Sequence, residues 1–150
     1  AVEGNVDNSD WPALFTGLPV SLYSRTRSEE RGALTLTGLS LEDSFNTNLS
    51  VPGTAGFHIV FGHAPNFARG RIDADLLVAG HTHGGQIRLP FIGPLVTLSR
   101  VPRDWCAGKT DLGGGRTLVV SSGIGMERGD APRLRFLCPP EIVVITLSPP

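Results

Sequence analysis

No apolar run in this sequence approaches the ~18 residues of a membrane-spanning helix, and no signal peptide is expected from its opening residues. A basic excess is missing too. Thirteen Lys and Arg stand against 14 Asp and Glu, for a formal charge of -1, so bulk charge does not advertise a nucleic-acid or anionic-membrane partner. Lysine itself is nearly absent: Lys109 is the single one, a bias that carries no functional weight. Cysteine is scarce as well. Cys106 and Cys138 are too far apart to be a metal-spaced pair. They pair with each other or, the preferred reading, lie apart as two buried thiols. The chain also has no initiator Met and opens Ala-Val-Glu-Gly-Asn, as though entering a fold midway. This leads to the expectation of a fragment or a processed product.

What is present suffices for one globular domain: 150 residues, 40 % hydrophobic and 18 % charged. Nineteen glycines and 12 prolines argue against long helices and for short strands joined by loops. Strands are predicted over Ala33–Leu39, Phe57–Phe61, Asp75–Ala79, Arg116–Ser121 and Glu141–Leu147, each a short apolar or β-branched run. "FHIVF", "LLVA" and "EIVVITL" are nearly continuous in apolar character, which predicts burial on both faces. Short helices are predicted over Ser9–Phe15 and Pro65–Arg71. A loop is predicted over "TNLSVPGTAG", and a hairpin turn at "DLGGGR". No internal repeat or domain boundary is visible. The class is α/β and sheet-rich.

Chemistry gathers where these strands end. "FHIVF" runs into Gly62-His63, "DLLVA" into Gly80-His81-Thr82-His83, and the opening Ala-Val into Gly4-Asn5-Val6-Asp7. Open α/β sheets bind ligands at strand carboxyl ends, and glycine there admits a close approach. Residues two apart in extended chain point to one side, so His81 and His83 could reach one metal or two neighbouring ones. Imidazole nitrogen and amide oxygen suit Mn, Zn, Fe or Ni. His58, inside "FHIVF", reads as structural. Thr82 is expected to support the turn. Arg88 is a weak candidate to bind substrate phosphate, with a surface salt bridge an equal alternative. The glycine-rich "SSGIGMERG" lines a cleft or simply turns the chain, and "RLPFIGPL", Trp11 and Trp105 are expected to pack rather than to recognise a ligand.

The order GN…GH…GHTHGGQ, with "FGHAPNFA…DADLLVAGHTHGGQIRLPFIGPL" and "SSGIGMERGDAPRLRFLCPPEIVVITL", resembles the C-terminal portion of calcineurin-like metallophosphoesterases, in their bacterial branch of small predicted phosphohydrolases. The resemblance spans essentially the whole chain, most strongly residues 57–147. It implies part of a four-layer α/β/β/α sandwich with two divalent metal ions at the sheet ends. It implies Asn5, His63 and His81 as ligands of one metal and His83 of the other. A metal-activated hydroxide would attack phosphorus in line. Asn5, Asp7 and His63 are the implied catalytic group.

Two departures bear on activity. The family's DxH and GDxxD motifs are absent, so residues 1–150 are expected to be a single C-terminal portion carrying an incomplete dinuclear site. The family's GNH reads Gly4-Asn5-Val6 here, and valine cannot protonate a leaving group. A phosphodiester or pyrophosphate target is therefore expected ahead of a phosphomonoester, on a phosphorylated small molecule or lipid. The alternative is a non-catalytic homologue that binds metal or a phosphate ligand without turnover. A third reading, a structural zinc, is disfavoured because no cysteine lies near the histidines in sequence. An open sheet edge or apolar face makes a homodimer an expectation. The location is expected to be cytoplasmic, or membrane-associated through a preceding segment.

Overall fold

Threonine alternates with leucine in Leu34–Gly38, and the chain answers with period-two burial: Thr35 and Thr37 face inward, Leu34 and Leu36 lie half-buried on the other side. The computed structural model describes residues 1–95, 97, 99–126 and 133–148. Its strands are β1 (Arg27–Arg31), β2 (Leu34–Gly38), β3 (Ser50–Val51), β4 (Phe57–Phe61), β5 (Arg71–Ile72), β6 (Leu76–Ala79), β7 (Arg88–Leu89), β8 (Gly93–Pro94), β9 (Gly108–Gly113) and β10 (Arg116–Val120). Six of them form one mixed sheet in the order β1-β2-β4-β6-β10-β9. The inner four are parallel, and antiparallel β1 and β9 close the two edges. β3–β5 and β7–β8 are two-residue pairs outside it. The α/β, sheet-rich expectation holds.

Parallel neighbours need crossovers, and these crossovers cover one face of the sheet. The first carries α1 (Leu41–Phe45), whose start is capped by Ser40 Oγ accepting from the Asp43 amide. The second carries a 3₁₀ turn, Pro65–Arg69, that buries Phe67 completely. Val60, Leu77, Leu118 and Val120 project from the sheet into the same core, with Leu39 and Ile72 from the connections. Removing a side chain such as Phe67 would cost about 3–5 kcal/mol. Among the described residues, no helix is long and apolar enough to cross a membrane.

The predicted strands at 33–39, 57–61, 75–79 and 116–121 appear within a residue or two. Glu141–Leu147 does not: it forms no strand, and Ile142 and Val144 are more than 80 % exposed. Its start bonds to a loop instead of a strand: the Glu141 amide donates to the Gly123 carbonyl at 3.0 Å, and the Glu141 carboxylate accepts from the Ser122 amide at 2.7 Å. The segment instead borders a cleft of about 520 Å³ on the less covered face, beside Leu76 and Val119. Burial on both faces also fails for β4, where Phe57 is exposed and only His58 and Val60 are buried.

The two helices predicted from their prolines are 3₁₀ turns, at Trp11–Phe15 and Pro65–Arg69, and neither start has the side-chain cap that Ser40 gives α1. "TNLSVPGTAG" is a loop except for Ser50–Val51. "DLGGGR" does turn a hairpin: Gly114 and Gly115 both take left-handed φ between β9 and β10. His58 is structural as expected, buried with Nε2 2.8 Å from Thr37 Oγ1 and Nδ1 3.0 Å from the Asp73 carbonyl. Trp11 is buried and Trp105 packs on the core. Cys106 and Cys138 are free buried thiols. Burial pushes the Cys106 thiol above its ordinary value and keeps it protonated.

Candidate metal-binding site

The parallel ladder continues past the strand ends and brings their histidines together. Gly62 donates to the Val78 carbonyl, and Gly80 donates to the carbonyl of His63 at 2.9 Å. His63 and His81 thus leave β4 and β6 side by side. Nε2 of His63 lies 3.0 Å from Nδ1 of His81. Phe45, at the end of α1, packs edge-on against His81 with ring centroids 4.9 Å apart and walls one side.

Asn5 arrives from elsewhere. The opening Ala-Val is not a strand of the large sheet: Val2 makes a single bridge to Tyr23. The following turn places Asn5 Oδ1 2.7 Å from His63 Nε2. Asp7 holds that turn. Its carboxylate accepts from the Gly4 amide at 2.7 Å, and its own amide donates to the Gly4 carbonyl at 3.1 Å. Val6, between them, is 81 % exposed.

Three lone-pair donors therefore converge. An amide oxygen can only accept, and of two neutral imidazole nitrogens facing each other at most one needs a proton. Separations of 2.7 and 3.0 Å match the ~3 Å between ligand atoms of a first-row divalent ion bound at ~2.1 Å. The chemistry of the set also fits, since neutral imidazole and amide oxygen bind borderline cations. His63 is held neutral. Desolvation comes first, then the repulsion of His81 and His83, with Asp7 opposing; together they lower its pKa from 6.5 to about 4.

His83 lies beside this trio rather than in it. It starts a 3₁₀ turn, His83–Gly85, and its carbonyl accepts from Cys138 Sγ at 3.3 Å. Among the described residues, no three His, Cys, Asp or Glu side chains form a metal-holding cluster. The extended-chain argument for His81 and His83 does not survive. Both take left-handed φ, +69° and +48°, with Thr82 right-handed between them. Non-glycine residues there cost about 1–2 kcal/mol each, a strain the surrounding loop must offset.

That loop is tied from below. Thr82 is buried, and its Oγ1 donates to the Cys106 carbonyl, the turn-supporting role expected of it. Gly84, at φ +63°, has Cys138 Sγ and Ser122 Oγ where a Cβ would lie, each only 2.6 Å away. Arg88 turns under the loop, its Nη1 3.4 Å from the Gly84 carbonyl and 3.8 Å from Cys106 Sγ. Ser121–Met126 of the glycine-rich stretch lies beside His83, while residues 127–129 fall outside the described residues.

Arg135 was missed in the sequence, although a lone cation in the apolar "LRFLC" is an unusual pattern. Its guanidinium donates to the carbonyls of Ser122 at 2.6 Å, Gly123 at 3.1 Å and Gly125 at 3.0 Å, with His83 and Cys138 at 3.4 and 3.3 Å. One fork thereby joins the 121–125 loop to the His83 turn.

No family model matches the chain, and no solved structure matches it. Curated relatives do. The chain is 39 % identical over 117 residues to an uncharacterized metallophosphoesterase of Bacillus subtilis, YkuE, covering 73 % of this chain and 39 % of that protein. It is 35 % identical over 96 residues to an uncharacterized metallophosphoesterase of Aquifex aeolicus, covering 63 % and 34 %. It is 33 % identical over 92 residues to the phosphodiesterase YaeI of Escherichia coli, covering 59 % and 32 %. The chain thus spans 32–39 % of the length of these relatives.

Proposed function

We propose that this chain, which belongs to the metallophosphoesterase family, contributes part of a divalent-metal site that hydrolyses phosphate esters. The observation that carries the reading is the convergence of Asn5 Oδ1, His63 Nε2 and His81 Nδ1 within 3.0 Å steps. These three would hold one ion. His83, close enough to act on His63 electrostatically, would serve a second. Mn, Zn, Fe and Ni all suit the donors. Bound there, the ions would supply positive charge for the phosphoryl transition state and acidity to activate water.

The chain's own residues do the rest. His63, neutral at pH 7, offers its lone pair without first losing a proton. Asp7 fixes the turn that aims Asn5. Val6 offers no proton to a leaving group, so a phosphodiester or pyrophosphate is favoured over a phosphomonoester. The substrate is a phosphorylated small molecule or lipid. A second reading, metal or phosphate binding without turnover, draws on the same exposed Val6.

Metal content decides the site. After loading with Mn or Zn, elemental analysis should find at least one ion per chain, lost in His63→Ala and His81→Ala. Bis-p-nitrophenyl phosphate then separates turnover from binding alone. No retained metal, or metal equally retained in both variants, would overturn the site.

A further inference from the structure

The β7–β8 hairpin displays its apolar residues outward. Against the expectation that "RLPFIGPL" packs, Phe91 is fully exposed at the tip, and Ile92 beside it is more than half exposed. Phe91 also has φ +64°, so neither packing nor backbone preference places an aromatic ring there. The hairpin is fastened to a second exposed apolar segment: the Arg88 backbone amide donates to the Phe136 carbonyl at 2.9 Å, and the Phe136 amide donates to the Gln86 carbonyl at 2.8 Å. Phe136 and Leu137 are themselves about half exposed or more. Single exposed apolar residues are ordinary, but two joined segments of them mark an interaction surface.

Charge indicates the partner. From Asp75 to Asp104 the sequence has no carboxylate side chain between these two, and it carries Arg88, Arg100 and Arg103. Arg100 and Arg103 are exposed. The near-neutral total of the chain hides this local basic stretch. An apolar tip followed in sequence by two exposed arginines, Arg100 and Arg103, suits the boundary between acyl chains and anionic headgroups. A symmetric contact with a second copy would set the same basic stretch against itself.

We propose that the Phe91–Ile92 tip, with Phe136 and Leu137, inserts into an anionic phospholipid surface and presents the His63–His81 cluster to a phosphate ester held in that surface. The hairpin begins within five residues of His83, so an inserted tip keeps the cluster close to the headgroups. The proposal rests on the phosphoesterase reading for its catalytic meaning, but the binding can be measured alone.

The test is co-sedimentation with phosphatidylcholine vesicles, with and without phosphatidylglycerol, in EDTA. The chain should pellet with the anionic vesicles and weakly, if at all, with pure phosphatidylcholine. Phe91→Asp with Ile92→Asp should lower partitioning at least about tenfold while leaving the melting temperature and metal content unchanged. Arg100→Glu with Arg103→Glu should lower it about fivefold per charge removed, and 1 M salt should do the same to the wild type. No binding to anionic vesicles, or equal binding by the aspartate variant, overturns the proposal. So does a dimer in light scattering that the same variant dissolves. Metal content is read separately, so loss of the membrane contact leaves the site reading standing, and the reverse.

Discussion

Replacing Arg135 with Ala tests whether one guanidinium holds the loop beneath the candidate site. Three of its bonds are well formed, to Ser122, Gly123 and Gly125, at 2.6–3.1 Å. Bonds to a charged donor are worth about 1.5–3 kcal/mol each where the freed acceptors stay dry. Arg135 is only half-buried, so water reaches part of the gap it would leave. The longer bonds to His83 and Cys138 add little. A net loss of about 3 kcal/mol follows, which for a chain of this size lowers the melting temperature by roughly 6–12 °C.

Thermal unfolding by circular dichroism reads the stability, and calorimetric Mn titration reads the site. Arg135→Lys should recover only a part of the loss, because a single ammonium cannot copy the planar fork across three carbonyls. Metal affinity should fall further in Arg135→Ala than in an equally destabilising core variant, since Arg135 ties the His83 carbonyl to the 121–125 loop. A melting shift under about 2 °C, or full recovery by lysine, would refute the account.

Other expectations follow from the same loop and its neighbours. Gly84→Ala should cost about 3 kcal/mol, since left-handed φ and a Cβ 2.6 Å from Cys138 Sγ act together; urea unfolding measures it. Thr82→Val should cost about 1–2 kcal/mol in the same assay, by leaving the Cys106 carbonyl without its hydroxyl donor. Metal-free stability should fall as pH drops from 6.5 towards 4. There the unfolded chain protonates His63 while the folded one, with the pKa at about 4, does not. Allowing for solvent screening the fall is about 1–2 kcal/mol, and His63→Gln should flatten it in thermal melts at stepped pH.

What the sequence made legible was whatever depends on neighbours along the chain. β4, β6 and β10 announce themselves because an apolar run bounded by glycine or proline has few other uses. Asn5, His63 and His81 stood out because each follows a glycine just after an apolar stretch, and all three do meet. β1 and β9 were hidden for the opposite reason. Edge strands such as Arg27–Arg31 face water and carry charge, which reads as loop. "EIVVITL" had every local mark of a strand, but a strand also needs a partner elsewhere in the fold, and this segment pairs with none of the described strands.

The loop under the histidines shows the same division more sharply. That His81 and His83 lie two apart is local information; that both are left-handed is not, and it makes their approach a product of the loop rather than of strand geometry. The loop in turn depends on bonds across long sequence separations, from Thr82 to Cys106 and from Arg135 to His83 and Ser122. A motif search finds the residues that would touch a metal. The partners that keep those ligands in place lie 24 and 52 positions away, and only the folded chain reveals them.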